Sequence, residues 1–497
     1  MKEEGKKELN RNWILVALMM TMILAAMDNT IVATAIPQIV GDLGGFSLFS
    51  WLFSVYLLIQ TITIPLYGKL ADLLGRKSII IFGIIIFLLG SAACGFAWNM
   101  PSLIAFRGIQ AIGAGAIMAT VNTIAGDIYS IEERAKIQGW LSSVWGIAAI
   151  LGPSIGGALA DYATWRWIFF INIPFGILSI ILIVKFLHEE KNQKHPKIDW
   201  AGAITMLITA TVIMFMLLQS GQSWPWISYT TLVFLIVSIL LIYITVRIER
   251  KAVEPILPIW VWKKRVLLGA NLATIGMGVI LMGPSMYLPV FAQSVTGVGA
   301  IAAGFILASM SLTWPLSSAL SGKLYLRIGF RNTALCGIII VAIGTFSFLF
   351  IKFPGPAWSL VTIQMLMGAG FGLISTPLLV GVQSTVHYEQ RGVVTGANIF
   401  SRYFGQSLGA AIFAVVFNYG INSKMESAPE NLKVALPIVN QVVDVMQSKA
   451  TNSDLRLFLR EAFFDATHSV YAGLTIVALI TFLILIWTPA KFPTIKR

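Results

Sequence analysis

Trp13 to Ala35 reads WILVALMMTMILAAMDNTIVATA, an apolar run with a single charged residue, Asp28. At about 1.5 Å per residue, such a run crosses the roughly 30 Å of a bilayer's hydrocarbon as one helix. It is too long for the apolar part of a secretory signal, and no small-residue cleavage site follows it, so it is expected to remain as a first membrane helix. Asp28 is the only carboxylate deep inside any apolar run of spanning length. A charge at that depth costs at least about 2.5–3.5 kcal/mol. Asp28 is therefore a candidate functional residue.

The whole chain follows the same rule. Of 497 residues, 57% are hydrophobic and 11% charged, with mean hydropathy +0.82; soluble domains carry about a quarter charged residues. Lipid is the main solvent. The net charge of +13 would suit nucleic acid, but the basic residues lie between apolar runs rather than on one amphipathic face, and no nucleic-acid partner is expected. Cys94 and Cys336 both fall in apolar runs, which argues against a disulfide framework or thiolate metal site. The four histidines lie in or near loops, so no metal is expected.

Further runs of spanning length lie near 49–67, 78–97, 102–124, 137–160, 167–187, 200–219, 229–247, 266–291, 299–321, 332–351, 358–380, 393–418 and 468–488. The predicted fold class is an all-α membrane protein of fourteen transmembrane helices. An even number puts both termini on one side. Arg107 and Arg402 lie within runs; of the other Lys and Arg residues, only Arg166, Lys352 and five from one long loop fall on the side opposite the termini. The positive-inside rule then makes both termini cytoplasmic.

The sequence also repeats. Glu132-Glu133-Arg134-Ala135-Lys136-Ile137-Gln138-Gly139 aligns with Glu389-Gln390-Arg391-Gly392-Val393-Val394-Thr395-Gly396. The same offset carries Gly113, Gly115 and Gly152 onto Gly370, Gly372 and Gly409. A parallel repeat of six-helix halves is a transporter architecture. It divides the chain into an N-terminal half (1–187), a cytoplasmic linker with two inserted helices (188–250), and a C-terminal half (251–497) with an outer loop at 420–465. In that loop Val434, Ile438, Val442 and Val445 recur at helical spacing.

Five motifs in order carry a resemblance. They are Asp28-Asn29-Thr30-Ile31-Val32 with Pro37, Gly68-Lys69-Leu70-Ala71-Asp72-Leu73-Leu74-Gly75-Arg76-Lys77, and Arg107-Gly108-Ile109-Gln110-Ala111-Ile112-Gly113-Ala114-Gly115. Gly146 with Gly152-Pro153-Ser154-Ile155-Gly156-Gly157, and Trp165-Arg166-Trp167-Ile168-Phe169-Phe170-Ile171-Asn172-Ile173-Pro174, complete the set. With fourteen spans, they resemble the major facilitator superfamily and, within it, the drug:proton antiporters of the QacA/EmrB type. The resemblance implies a major facilitator fold and proton-driven multidrug efflux with no cofactor, and an antibiotic-resistance phenotype. It also implies a multi-pass protein of the bacterial inner or plasma membrane, taken here as a monomer, whose partners are amphiphilic small molecules, protons and the lipid bilayer.

Each motif has a physical reading. Gly68 and Gly75 permit a tight turn, and Lys69, Arg76 and Lys77 hold it on the cytoplasmic side, while Asp72 can cap a helix N-terminus or pair with a loop cation, forming in one conformation and breaking in the other. Leu326 stands where Asp72 would repeat, so this latch is expected in one half alone. Gly152, Gly156 and Gly157 open a small-residue face and Pro153 bends it; packing against the other half is expected to seal one end of the cavity.

Asp28 and Arg107 are placed at equal depth and expected to face each other as the proton-coupling pair. Their counterparts in the second half carry no such charges: Gln364 answers Arg107, and 266–291 has no acid. Protonation of Asp28 and binding of substrate are expected to compete, with two halves rocking about a midplane site. Asn29, Gln60, Met118, Asn122, Gln364 and Arg402, with Asn271, Met282, Trp314 and Phe371, are the candidate cavity residues. Two arginines against one aspartate favour neutral, zwitterionic or monocationic amphiphiles over dications. The chain shows no catalytic cluster that would make it an enzyme and no Walker-type lysine loop for ATP. The alternative is a dedicated exporter or flippase of one endogenous metabolite or lipid.

Overall fold

The computed structural model describes residues 2–44, 48, 51–189, 199–220, 224–429, 432, 436 and 453–493, except for the side chains of residues 2–9, 29, 37, 153, 157, 160–162, 218 and 300. It is all-helical. In chain order the long helices are α1 (Lys2–Leu43), α2 (Trp51–Leu74), α3 (Arg76–Gly95), α4 (Met100–Ile128), α5 (Ile131–Tyr162) and α6 (Trp167–Phe186). Then come α7 (Trp200–Gln219), α8 (Tyr229–Lys251), α9 (Arg265–Ser294), α10 (Ala300–Ile328), α11 (Phe330–Phe348), α12 (Ala357–Ser384), α13 (Arg391–Glu426) and α14 (Ser453–Trp487). Among the described residues, thirteen of these are long and apolar enough to cross a membrane. The other, glycine-rich α5, has 32 residues, a length of roughly 48 Å, and so completes the fourteen expected.

Helix ends fall where the chain offers caps. Asn99 opens α4 and Ser130 opens α5 with reciprocal capping boxes, and Gly75 and Gly329 adopt positive φ at the sharp turns before α3 and α11. The packing repeats with a shift of eight helices. α3 on α4, α2 on α4, α1 on α5 and α1 on α6 are matched by α11 on α12, α10 on α12, α9 on α13 and α9 on α14. Two large cores result, one around Leu18, Tyr56, Phe87 and Ile117, the other around Phe291, Phe348, Phe371 and Tyr471. The two sets of helices meet along reciprocal seams, α2 with α13 and α5 with α10. α7 and α8 pack on each other through Thr209 and Thr245, whose hydroxyls are 2.7 Å apart, and α7 also touches α2 and α13. α8 buries only 6% of its apolar window, which leaves it facing lipid.

The region 420–465 is not one long loop. α13 runs to Glu426 and α14 starts at Ser453, joined near their ends by an ion pair from Lys424 to Asp465 at 2.8 Å. Leu455, Leu459, Ala462 and Ala466 are buried at helical spacing, so this stretch prolongs the apolar stripe of α14. Val434, Ile438, Val442 and Val445 lie outside the described residues. At the end opposite the chain termini, Arg166 donates to Asp42 at 2.6 Å and the Trp165 indole donates at 3.0 Å. The Arg166 guanidinium, and after it the indole, hold the Asp42 carboxyl below its usual range.

Candidate functional site

Three features make up the site: a buried charge cluster, a cavity between the two sets of helices, and a closed seam below it.

The cluster gathers around Asp28 on α1. Arg107 of α4 donates through Nη1 to Asp28 Oδ2, and Gln110, one turn on, donates to Oδ1 at 2.8 Å and accepts from Arg107 Nη1 at 2.8 Å. The guanidinium lies 4.1 Å from the centre of the Tyr56 ring on α2. Asp28 is 2% exposed, and Arg107, Gln110 and Tyr56 are fully buried. Glycines hold α4 in place: a Cβ on Gly90 would fall 2.4 Å from Gln110 N, and one on Gly115 would fall 2.0 Å from Thr63 Oγ1. The cluster is thus tied to α1, α2 and α4. Inside the bundle the Asp28 carboxylate and the Arg107 guanidinium match each other's charge.

The cavity has a volume of about 540 Å³ and is lined from both sets of helices. Gln60, Asn122, Arg402 and Trp314 line it. Met118 and Gln364 do not. Met118 is buried in the first core, and Gln364 is fully buried, donating to Tyr471 Oη at 3.5 Å. Asn271, Met282 and Phe371 also lie off the cavity wall, and the Asn29 side chain lies outside the described residues. The miss has a common cause. Polar residues inside membrane helices serve helix-to-helix hydrogen bonds as readily as cavity walls, and an unassigned helix face does not say which.

Asp28 itself is not on the wall. Met22, Ala26 and Thr30 line the cavity as one stripe of α1. Two residues turn a helix by about 200°, so Asp28, midway between Ala26 and Thr30, points to the other side. Sequence reasoning also missed Gln138, Asn398, Tyr403 and Gln406, all on the wall. Gln138 lies within the quoted repeat, whose alignment carries no signal for a wall position.

The seam lies at the end of the bundle where α1 begins and α14 finishes. Asp72, 5% exposed, accepts from the first backbone N–H groups of α13, Gly392 N and Val393 N, both at 2.9 Å, and from Arg76 Nη2 at 2.7 Å. It therefore caps a helix of the other set, where unpaired N–H groups and the positive end of the helix dipole favour a carboxylate. Arg76 also donates to Asp127 at 3.1 Å and to the Tyr388 carbonyl at 2.6 Å, and Asp127 accepts from Arg391 at 2.9 Å. Gly68 and Gly392 bring the backbones together: a Cβ on Gly392 would fall 2.1 Å from Gly68 O. Gly75 turns the chain at positive φ, and just after it Arg76 N and Lys77 N both donate to Glu189, at 2.9 Å each. Glu189 and Asp127 had no signal in the sequence, since neither is near Arg76 or Lys77 along the chain.

The reciprocal seam has no acid at Leu326, which is 52% exposed. Tyr325 instead donates its hydroxyl to Ile131 O of α5. Gln383 of α12 adds a bond to Asn122 O of α4 at 3.1 Å.

The glycines of α5 correct the expectation drawn from them. Gly152 and Gly156 face α1 of the same half, where a Cβ would meet Thr30 Oγ1 at 2.0 Å and Thr34 Oγ1 at 2.3 Å. Contact with α10 of the other set comes from Gly139 and Gly146, against Ala319 Cβ at 2.8 Å and Ser311 O at 3.1 Å. Gly139 and Gly146 are two turns apart on one face, and Gly152 and Gly156 lie well round the helix from them. How Pro153 and Gly157 are packed lies outside what is described. Gly152→Ala is expected to cost about 1–3 kcal/mol by overpacking, read as a lower melting temperature. Thr30→Ala should relieve only part of it, because Thr30 Cβ would still be 2.7 Å away. An unchanged melting temperature would show that α1 and α5 are not packed this closely.

Residues 18–410 match the model of the Major Facilitator Superfamily. The chain is 32% identical over 521 residues to the multidrug transporter protein MdtP of Bacillus subtilis (strain 168), covering 100% of this chain and 96% of that protein. It is 35% identical over 428 residues to multidrug resistance protein 3 of the same organism, covering 86% and 83%. The crystal structure of the human organic anion transporter MFSD10 (TETRAN) superposes with a TM-score of 0.65 over 95% of this chain and 99% of that one, at 14% identity, a likeness of fold alone.

Proposed function

The chain belongs to the Major Facilitator Superfamily; it is a multi-pass membrane transporter and not an enzyme, and from that premise we propose that it exports amphiphilic drugs or toxic compounds in exchange for protons. The observation that carries the reading is the buried Asp28–Arg107–Gln110 cluster, built on the same two helices, α1 and α4, that contribute Thr30 and Asn122 to the cavity. The names of the two Bacillus relatives support the drug class.

In this reading the proton is carried by Asp28. With the seam under the cavity closed, the outer side has access; a proton arriving at Asp28 frees Arg107 from its partner and loosens α1 from α4. The Asp72 cap on α13 then releases, the cavity opens toward the termini, and substrate enters as the proton leaves. Asp28 does not touch the cavity wall, so competition between proton and substrate runs through helix positions rather than through a shared contact. Each pH unit of gradient supplies about 1.4 kcal/mol, and 100 mV about 2.3 kcal/mol per charge. No cofactor takes part. Both termini lie in the cytoplasm of a bacterial cell, on the basic side given by the positive-inside rule, and the transporter works as a monomer in the plasma membrane.

The test is proton movement in proteoliposomes under an imposed pH gradient, with a panel of chemically unrelated toxicants added in turn. Several should each drive proton movement. Movement with a single metabolite or lipid only would instead favour a dedicated exporter or flippase. No coupled proton movement with any compound that is itself transported would overturn antiport.

A further inference from the structure

We propose that the cavity selects amphiphiles bearing one negative charge, and that Arg402 is the residue that recognises it; this rests on the reading of the cavity as the site of an exported amphiphile. Arg402 lies partly exposed on the wall, its guanidinium carbon 5.3 Å from the centre of the Tyr403 ring. Among the described residues it has no carboxylate within ion-pair distance, and no described lining residue is Asp or Glu. Three fully or nearly buried arginines differ from it in this, while buried Arg134 donates to the Tyr129 carbonyl. Arg107 is held by Asp28, Arg76 by Asp72 and Asp127, and Arg391 by Asp127.

Packing does not account for the Arg402 side chain. The α9–α13 contact at this point is made by backbone against glycine: a Cβ on Gly278 would fall 2.2 Å from Arg402 O, and one on Gly405 would fall 2.2 Å from Ile275 O. The guanidinium lies on the cavity wall, bonded to the Tyr403 hydroxyl beside it and to no carboxylate among the described residues. The same wall carries the amides of Gln60, Asn122, Gln138, Asn398 and Gln406; Asn122, Gln138 and Asn398 donate within the protein, and Gln60 and Gln406, with the guanidinium fork, offer donors suited to carboxylate, sulfonate or phosphate oxygens. Trp145, Trp314, Met277 and Met310 supply apolar wall for the rest of the molecule.

Two arginines against one aspartate within the spans favour, on sequence alone, neutral, zwitterionic or monocationic amphiphiles. The structure places Asp28 on the reverse face of α1, already neutralised. A cation entering here meets one like charge and no opposite one, in surroundings drier than water, where repulsion is strong.

Dansylglycine, dansylamide and dansylcholine share one aromatic body and carry a negative, no and a positive charge. Their fluorescence on binding to the purified full-length protein in nanodiscs gives three affinities without requiring proton coupling. The wild type is expected to bind dansylglycine about tenfold tighter than dansylcholine. Arg402→Gln should collapse that ratio to near one and Arg402→Lys should keep most of it. The wild-type ratio alone keeps the proposal testable if a variant fails to fold. Binding that ignores charge, or that favours dansylcholine, overturns the proposal and leaves the export reading standing. Binding of none of the three overturns the amphiphile cavity and this proposal with it.

Discussion

Asp28→Asn is expected to abolish substrate-driven proton movement in proteoliposomes, to the level of empty liposomes, while dansyl ligands still bind. The two readouts separate because Asp28 sits behind the cavity wall, while Thr30 and Ala26 form that wall. Asparagine fills the same space but cannot carry the proton, and it leaves the fully buried Arg107 without a counter-charge. Breaking a buried pair from one side costs roughly 3–5 kcal/mol, whereas removing both charges is often neutral. The double variant Asp28→Asn with Arg107→Gln should therefore recover much of the lost melting temperature and none of the proton movement. Recovery of both would make the pair structural and send the search for the coupling group elsewhere. Proton movement that survives in the single variant would do the same.

Gly392→Val is the second large effect expected, and it acts on one conformation. A Cβ there would sit 2.1 Å from Gly68 O and 2.8 Å from Asp72 Oδ1, both across the seam. With the seam open the same side chain meets neither, so the chain should fold and reach the membrane. An overpacking cost of about 1–3 kcal/mol confined to the closed state shifts the balance by roughly 5- to 150-fold. Export should fall accordingly. A single cysteine placed at Asn122, in a background lacking Cys94 and Cys336, should react faster with an impermeant maleimide applied from the termini side. Unchanged labelling with unchanged export would mean that the Gly68–Gly392 contact does not gate access.

The positions of these residues were legible to very different degrees. Asp28 stood out because nothing else in its run is charged, and Arg107 because helix length fixes depth. Their meeting followed from two numbers, a rise per residue and a span start. Asp72 was legible as a cap but not as a cap on α13, since its partners Gly392 and Val393 are more than half the chain away. Gly152 and Gly156 were read as a surface for the other half, and they serve α1 instead. Met118 and Gln364 were read as cavity walls, and they are core. Every one of these errors concerns which way a helix face points.

By itself the sequence determined what solvent the chain lives in, the fourteen helices, the internal repeat, and the matching depth of Asp28 and Arg107. These depend on hydropathy and rise per residue, which are properties of one segment at a time. Only the tertiary structure decided the rotation of each helix about its own axis. Rotation put Asp28 behind the wall and Arg402 on it, and it chose Gly139 over Gly152 for the second seam. A helix in lipid has no polar face to orient it toward water, so its rotation is set by what packs against it.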